Sequence, residues 1–179
     1  GAGLAQGAFD EVEPMLDAAT ALLDDYDTEG FAPVVHAWRA QLYARQGRMS
    51  EACDAVEVAG QVETRPWPGQ RARTNLNLAR AYLLLDAPEQ ALRLTEEALR
   101  LADSSGYRHY AMRARQLITQ CTDDEVLIAR HQRVAEALAR SLAANLSRED
   151  AGAFMQMHGV KPRISLAPGA GFVSPSQSG

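Results

Sequence analysis

Lysine is almost missing from this chain of 179 residues: of 18 basic residues 17 are arginine, and Lys161 stands alone. That bias reads as a GC-rich, bacterial genome rather than as a functional choice. Cysteine is scarce too. Cys53 and Cys121 are too far apart in sequence to form a pair at metal-ligand spacing. Both are expected to be buried core thiols, which fits a reducing cytosol. No apolar run approaches the ~18 residues of a membrane span, and no signal peptide is visible. Aromatic residues make up only 6% of the chain. No basic residue occurs before Arg39, whereas eight acidic ones do. With a net charge of −5, nucleic acid is not an expected partner, because displacing its counterions needs a net basic surface. A phosphate loop is missing: "PGAGFVSPS" has glycines but no Lys-Ser/Thr after them. His-Glu-x-x-His is missing as well. His36, His109 and His158 have no evident catalytic partner in the sequence, and His131 falls on an apolar helix side as a packed, hydrogen-bonded residue. The reading is therefore non-catalytic, with no metal and no cofactor.

Alanine and leucine dominate what is there. Thirty-two alanines favour packed helices. Apolar residues recur at helical spacing in Val12, Leu16, Ala19 and Leu23, and again in Val35, Trp38, Leu42 and Tyr43. Helices are expected over residues 9–26, 31–46, 50–64, 70–85, 88 to near "DSSG" (103–106), 107–121, 124–146 and 147–159. Ser50, Asp123 or Asp124, and Ser147 serve as caps, and Pro88 occupies a first turn. "RPWPG" is a loop. The stretch 160–179 is rich in Pro, Gly and Ser and has no period, so it reads as an extended tail.

One phrase is written twice. "QGRMSEACDAVEVA" (46–59) and "LDAPEQALRLTEEA" (85–98) share a break residue (Gly47, Asp86), a small residue five later (Ala52, Ala91) and another seven beyond that (Ala59, Ala98). "QGAFDEVEPMLDAA" (6–19) is a weaker copy. A period of 35 to 40 residues built from helix pairs describes a stack whose members bury their apolar faces only against neighbours. On these residues the chain resembles the tetratricopeptide repeat family. Asn75-x2-Leu78-Ala79-x2-Tyr82 with Ala91-x3-Thr95, and His36-x2-Arg39-Ala40-x2-Tyr43 with Ala52-x3-Val56, keep its small residues and tyrosines. They lack its tryptophan, its second-helix aromatic and its proline. Generic helical hairpins compete with this reading, and the second helix of the third pair is out of register.

The resemblance implies an all-α, right-handed array of antiparallel helix pairs over residues 1–146, with the first repeat truncated. A capping helix (147–159) and the tail (160–179) follow. The chain opens "GAGLAQGAF", without an initiator methionine and in mid-repeat, so a piece of a longer or processed protein is expected. "LARSLAANLSREDAGAFMQMHGV" is similar to the end of large bacterial regulators that join a kinase, cyclase or DNA-binding module to a helical-repeat region.

Arg73 and Arg80 lie seven apart and so share a helix face. Arg108 and Arg115 repeat the spacing 35 residues later, and aligning Ala79 with Ala114 makes the pairs equivalent. The resemblance implies that such first helices line a concave surface. Arg73, Arg80, Arg108 and Arg115, with Asn77, would then form a basic stripe for an acidic peptide or protein segment; an arginine-rich solvated face is the competing reading. Trp67 is a candidate partner anchor, though a tryptophan between prolines more often folds back over a helix end. The expected role is a protein-interaction or sensor region of a larger cytoplasmic signalling protein. The partner is acidic and proteinaceous, not nucleic acid or membrane, and self-association is possible. Small-molecule sensing beside an enzyme, or a spacer or oligomerisation module, are the rivals.

Overall fold

A computed structural model describes residues 6–26, 30–61 and 67–160, with side chains in the first helix from 11 to 23. The described elements are helices: α1 (Gln6–Tyr26), α2 (Ala32–Arg45), α3 (Met49–Gln61), α4 (Pro68–Leu84), α5 (Pro88–Ser105), α6 (Arg108–Ile118), α7 (Glu125–Ala143) and α8 (Arg148–Met157). They pack neighbour on neighbour. α1 lies on α2; α2, α4 and α6 pack in succession; each of these three also packs against the helix that follows it; and α8 closes on α7. Such an all-helical arrangement is compatible with a helical repeat. No described helix is long and apolar enough to cross a membrane.

The repeated phrase is visible in the backbone. Gly47 and Asp86 both take left-handed conformations, with φ of 79° and 56°. After α2, the amide of Gly47 donates to the carbonyl of Ala44, and that of Arg48 to Tyr43 at 2.9 Å. After α4, Asp86 donates to Leu83, and Ala87 to Tyr82 at 2.9 Å. These are two copies of one helix-ending motif, in which a left-handed residue turns the chain and returns its amides to orphan carbonyls. The turn from α6 to α7 is built differently. There Gln120 and Cys121 donate to Leu117 and Ile118, and Asp124 caps α7 by accepting from the amides of Val126 and Leu127.

The alanines explain how close the helices lie. Ala72, Ala79, Ala91, Ala98 and Ala114 have no exposed surface and share one cluster with Leu76, Leu101 and Leu117. Ala37, Ala40, Ala55, Ala59 and Ala81 form a second, with Val56 and Leu78. Without bulk at these points, helix backbones approach and every larger side chain nearby finds contacts. Met112, Ala135, Ala139 and Val160 make a third cluster, which ties residue 160 to α6 and α7.

Several expectations need correcting. Ser50 is not a cap: α3 begins at Met49, which places the serine inside the first turn. Cys53 is exposed, whereas Cys121 is buried as expected. α7 stops at Ala143 rather than near 146. Ser147 does cap α8, accepting from the amide of Asp150. His131 is buried, but its Nδ1 has no hydrogen-bond partner among the described residues. The expected tail beyond Val160 lies outside the described residues.

Candidate functional site

Three stripes of side chains meet on one side of α2, α4 and α6. Along α2 and its cap, Phe31, Trp38 and Arg45 follow at intervals of seven. Arg73, Asn77 and Arg80 do so along α4 at intervals of four and three. On α6 the stripe is His109 and Arg113. Phe31 and Trp38 remain 36% and 39% exposed. The Arg73 guanidinium carbon lies 5.3 Å from the centre of the Trp38 ring and 5.9 Å from that of Phe31. Flat cation and flat ring attract at this range.

Charge accumulates below the aromatic end. Burial, then Arg113, then Arg45 push the Arg80 guanidinium down to about 10. Burial also pulls Arg113 down, helped by Arg73 and opposed by Tyr110. His109 is held below its ordinary value by burial, Arg113, His158 and Arg80. His158, just past α8, is lowered by burial and by the same two arginines. The rings of His109 and His158 stand 6.2 Å apart, and Phe154 packs at 4.6 Å against His158.

Pairing separates this face from the rest of the surface. Seven described arginines are half-buried. Four of them hold a carboxylate: Arg39 with Asp17, Arg48 with Glu13 and Glu51, Arg115 with Asp103, and Arg140 with Glu136. The other three are Arg73, Arg80 and Arg113, and among the described residues none of them has an ion pair. A half-buried guanidinium ordinarily takes a partner, because withdrawing a charge from water is costly. Here three share one face, and their nearest charges are of their own sign.

The arrangement departs from the sequence expectation in detail. Arg73 and Arg80 do share a face. Arg108 and Arg115 do not join them. Arg108 donates to the Ser141 hydroxyl on α7 at 2.6 Å, and Arg115 pairs with Asp103 on α5 at 3.0 Å. Asn77 is buried, its side-chain amide donating to the Arg73 carbonyl, while its own carbonyl accepts from Gln41; it braces α4 on α2 rather than presenting a ligand contact. Arg45, His109, Arg113 and His158 were missed. Arg113 sits two residues before Arg115, about 160° around the helix at 100° per residue. The available signal was the i, i+4 pair His109–Arg113 on one stripe of the helix.

Trp67 is 61% exposed. It precedes α4 at the cap position with an extended ψ of 158°, so the expectation that it folds back is corrected. The ring of Tyr107 instead closes over Gly69, leaving 3.0 Å to where a Cβ would stand. A concavity of about 770 Å³ opens between α6, α7 and the end of α8, lined by Gln116, Thr119, Gln120, Gln132, Glu136 and His158. Among the described residues no three His, Cys, Asp or Glu side chains gather where they could hold a metal. No protein-family model matches the chain, and no curated protein or solved structure matches it either.

Proposed function

We propose that this chain is a non-catalytic protein-interaction region that holds an acidic peptide or protein segment against the α2–α4–α6 face. The observation that carries this is the set of half-buried arginines Arg73, Arg80 and Arg113, which among the described residues lack carboxylates while the other half-buried arginines described have them. Guanidinium groups give paired, charge-assisted hydrogen bonds to carboxylates. An incoming carboxylate would also relieve the repulsion among Arg45, Arg80 and Arg113. The stack behind the face is read as a right-handed, tetratricopeptide-like array of antiparallel pairs whose first helices line a concave side. Its setting is read as the cytoplasmic part of a larger bacterial signalling protein. The duplicated turn at Gly47 and Asp86 supports the repeat reading, and the low lysine content supports the bacterial one.

The test is fluorescence anisotropy with a labelled glutamate-rich peptide. Binding is expected, weakening steeply with salt. Replacing Arg80 and Arg113 together by glutamate should abolish it, and Arg108→Glu should leave it unchanged. Equal binding by all three proteins overturns the assignment. The polar cleft beside His158 favours a second reading, a small polar ligand held by Gln116, Gln120 and Gln132. Loss of a metabolite's binding on Gln132→Ala, with the peptide still bound, would select it.

A further inference from the structure

α1 carries the complement of the basic face. Its 21 residues include six acidic side chains and no basic one. Two of those, Glu13 and Asp17, are occupied in the same molecule by Arg48 and Arg39. These pairs, with Val12, Leu16, Ala19 and Leu23 packed near Val35 and Leu42, clamp α1 onto α2 and the turn that follows it. The adjoining flank, about 100° round the helix, carries Glu11, Met15, Ala18 and Leu22 at spacings of four, three and four, all exposed. Met15 and Leu22 are 69% and 65% exposed.

We infer that the outer face of α1 docks on the α2–α4–α6 face of a second copy of this chain, joining copies head to tail. This rests on the acid-binding reading of that face and names its partner. Charge matches: Glu11 stands on this face, on a helix that carries no basic residue, and it meets Arg73, Arg80 and Arg113. Apolar surface matches too, since Met15 and Leu22 find Trp38 and Phe31. The partner is a second copy because α1 is held in its seat by ion pairs to Arg39 on α2 and to Arg48 in the turn after it, so it is not free to swing onto the basic stripe of the same molecule. The two surfaces differ, so the contact is heterologous and does not close on itself as a twofold dimer does.

Sedimentation velocity of the full chain tests this, with circular dichroism to confirm that each variant keeps its helices. The wild type should gain mass with concentration. Its apparent dissociation constant should weaken at least about tenfold between low and moderately high salt, as expected for a charge-driven contact. Arg80→Glu with Arg113→Glu should be monomeric, and so should Met15→Glu with Leu22→Glu. Mixed, the two variants should form a one-to-one pair and stop, since one supplies the intact α1 and the other the intact basic face. A wild type that stays monomeric while still binding the glutamate-rich peptide overturns this inference and leaves the proposed function standing. Self-association without pairing in the mixture overturns the head-to-tail arrangement. A wild type that neither self-associates nor binds the peptide overturns both.

Discussion

Replacing Arg80 by methionine should make the protein more stable and bind less. The guanidinium is held well below its ordinary value, to about 10, by burial and by Arg113 and Arg45. It stays charged at neutral pH, so the depression measures how poorly the folded state accommodates that charge. At about 1.4 kcal/mol per pKa unit, the penalty is about 3 kcal/mol at most. Partial exposure lets water screen the neighbours and reduces this to about 1–2 kcal/mol. Methionine keeps the unbranched stem that packs between the helices and removes the charge. Among the described residues no carboxylate loses a partner, so no orphaned charge opposes the gain.

For a chain of this length about 1–2 kcal/mol corresponds to a rise in Tm of roughly 2–8 °C. Differential scanning calorimetry reads that directly. The same variant should lose a hydrogen bond between charged groups in its complex with an acidic peptide, worth about 1.5–3 kcal/mol, or at least tenfold in affinity. A fall in Tm would refute the reasoning, because Arg80 would then be a structural residue satisfied in the fold. A raised Tm with unchanged affinity would refute the site but keep the electrostatics.

His109, His131 and His158 all have depressed folded values, so the unfolded chain takes up protons first as pH falls below about 6.5. Stability is therefore complete above that pH and is lost below it: Tm should drop between pH 6.5 and 5, while affinity for the acidic peptide rises as His109 and His158 gain charge. Asp86→Gly should raise stability by about 0.5–1 kcal/mol, because aspartate holds a left-handed φ that glycine adopts without steric cost; Gly47→Ala, the same change in reverse at the sister turn, should lower it by a similar amount, and urea titration of both checks the pair. Ala91→Leu should cost about 1–3 kcal/mol by overpacking a site with no exposed surface; an unchanged melting curve would mean that the helices are not in contact there.

The duplicated turn was legible because a left-handed residue, an alanine five on and another seven beyond that are local requirements, met within one stretch of chain. Helix faces were legible for the same reason, since Ala79 and Ala114 are both fully buried in one cluster. The arginines were legible only in part. A guanidinium on a long stem goes where it finds a partner. Arg115 finds Asp103, and no alignment of alanines could reveal that pairing. Cys53 was misjudged because thiols are usually buried, and nothing local fixed which side of α3 it would take. Trp67 was misjudged because its burial depends on which ring covers Gly69, and Tyr107, forty residues later, does so.

The absence of carboxylates, among the described residues, from the α2–α4–α6 face is the strongest argument that it has a use. Acidic residues outnumber basic ones in this chain, 23 to 18, so a half-buried arginine does not lack for carboxylates to pair with. That is what happens at Arg39, Arg48, Arg115 and Arg140. At Arg73, Arg80 and Arg113 the positions within reach are taken instead by Arg45, His109, His158, Tyr110 and aromatic rings. Each choice leaves like charges together at a cost in stability, and a fold that needed only to stack would lose nothing by trading one of them for glutamate. The alanine-packed interfaces between α4 and its neighbours offset that cost, and what remains on the surface is a set of donors already gathered for an anion. If that is the reason for the arrangement, a single glutamate placed at position 45 should close the site from within. Arg45→Glu should raise Tm as it pairs with Arg80, and it should compete with any acidic partner, lowering its affinity without touching Arg73 or Arg113. A protein that gains stability and keeps its affinity would show that the face is merely unpaired.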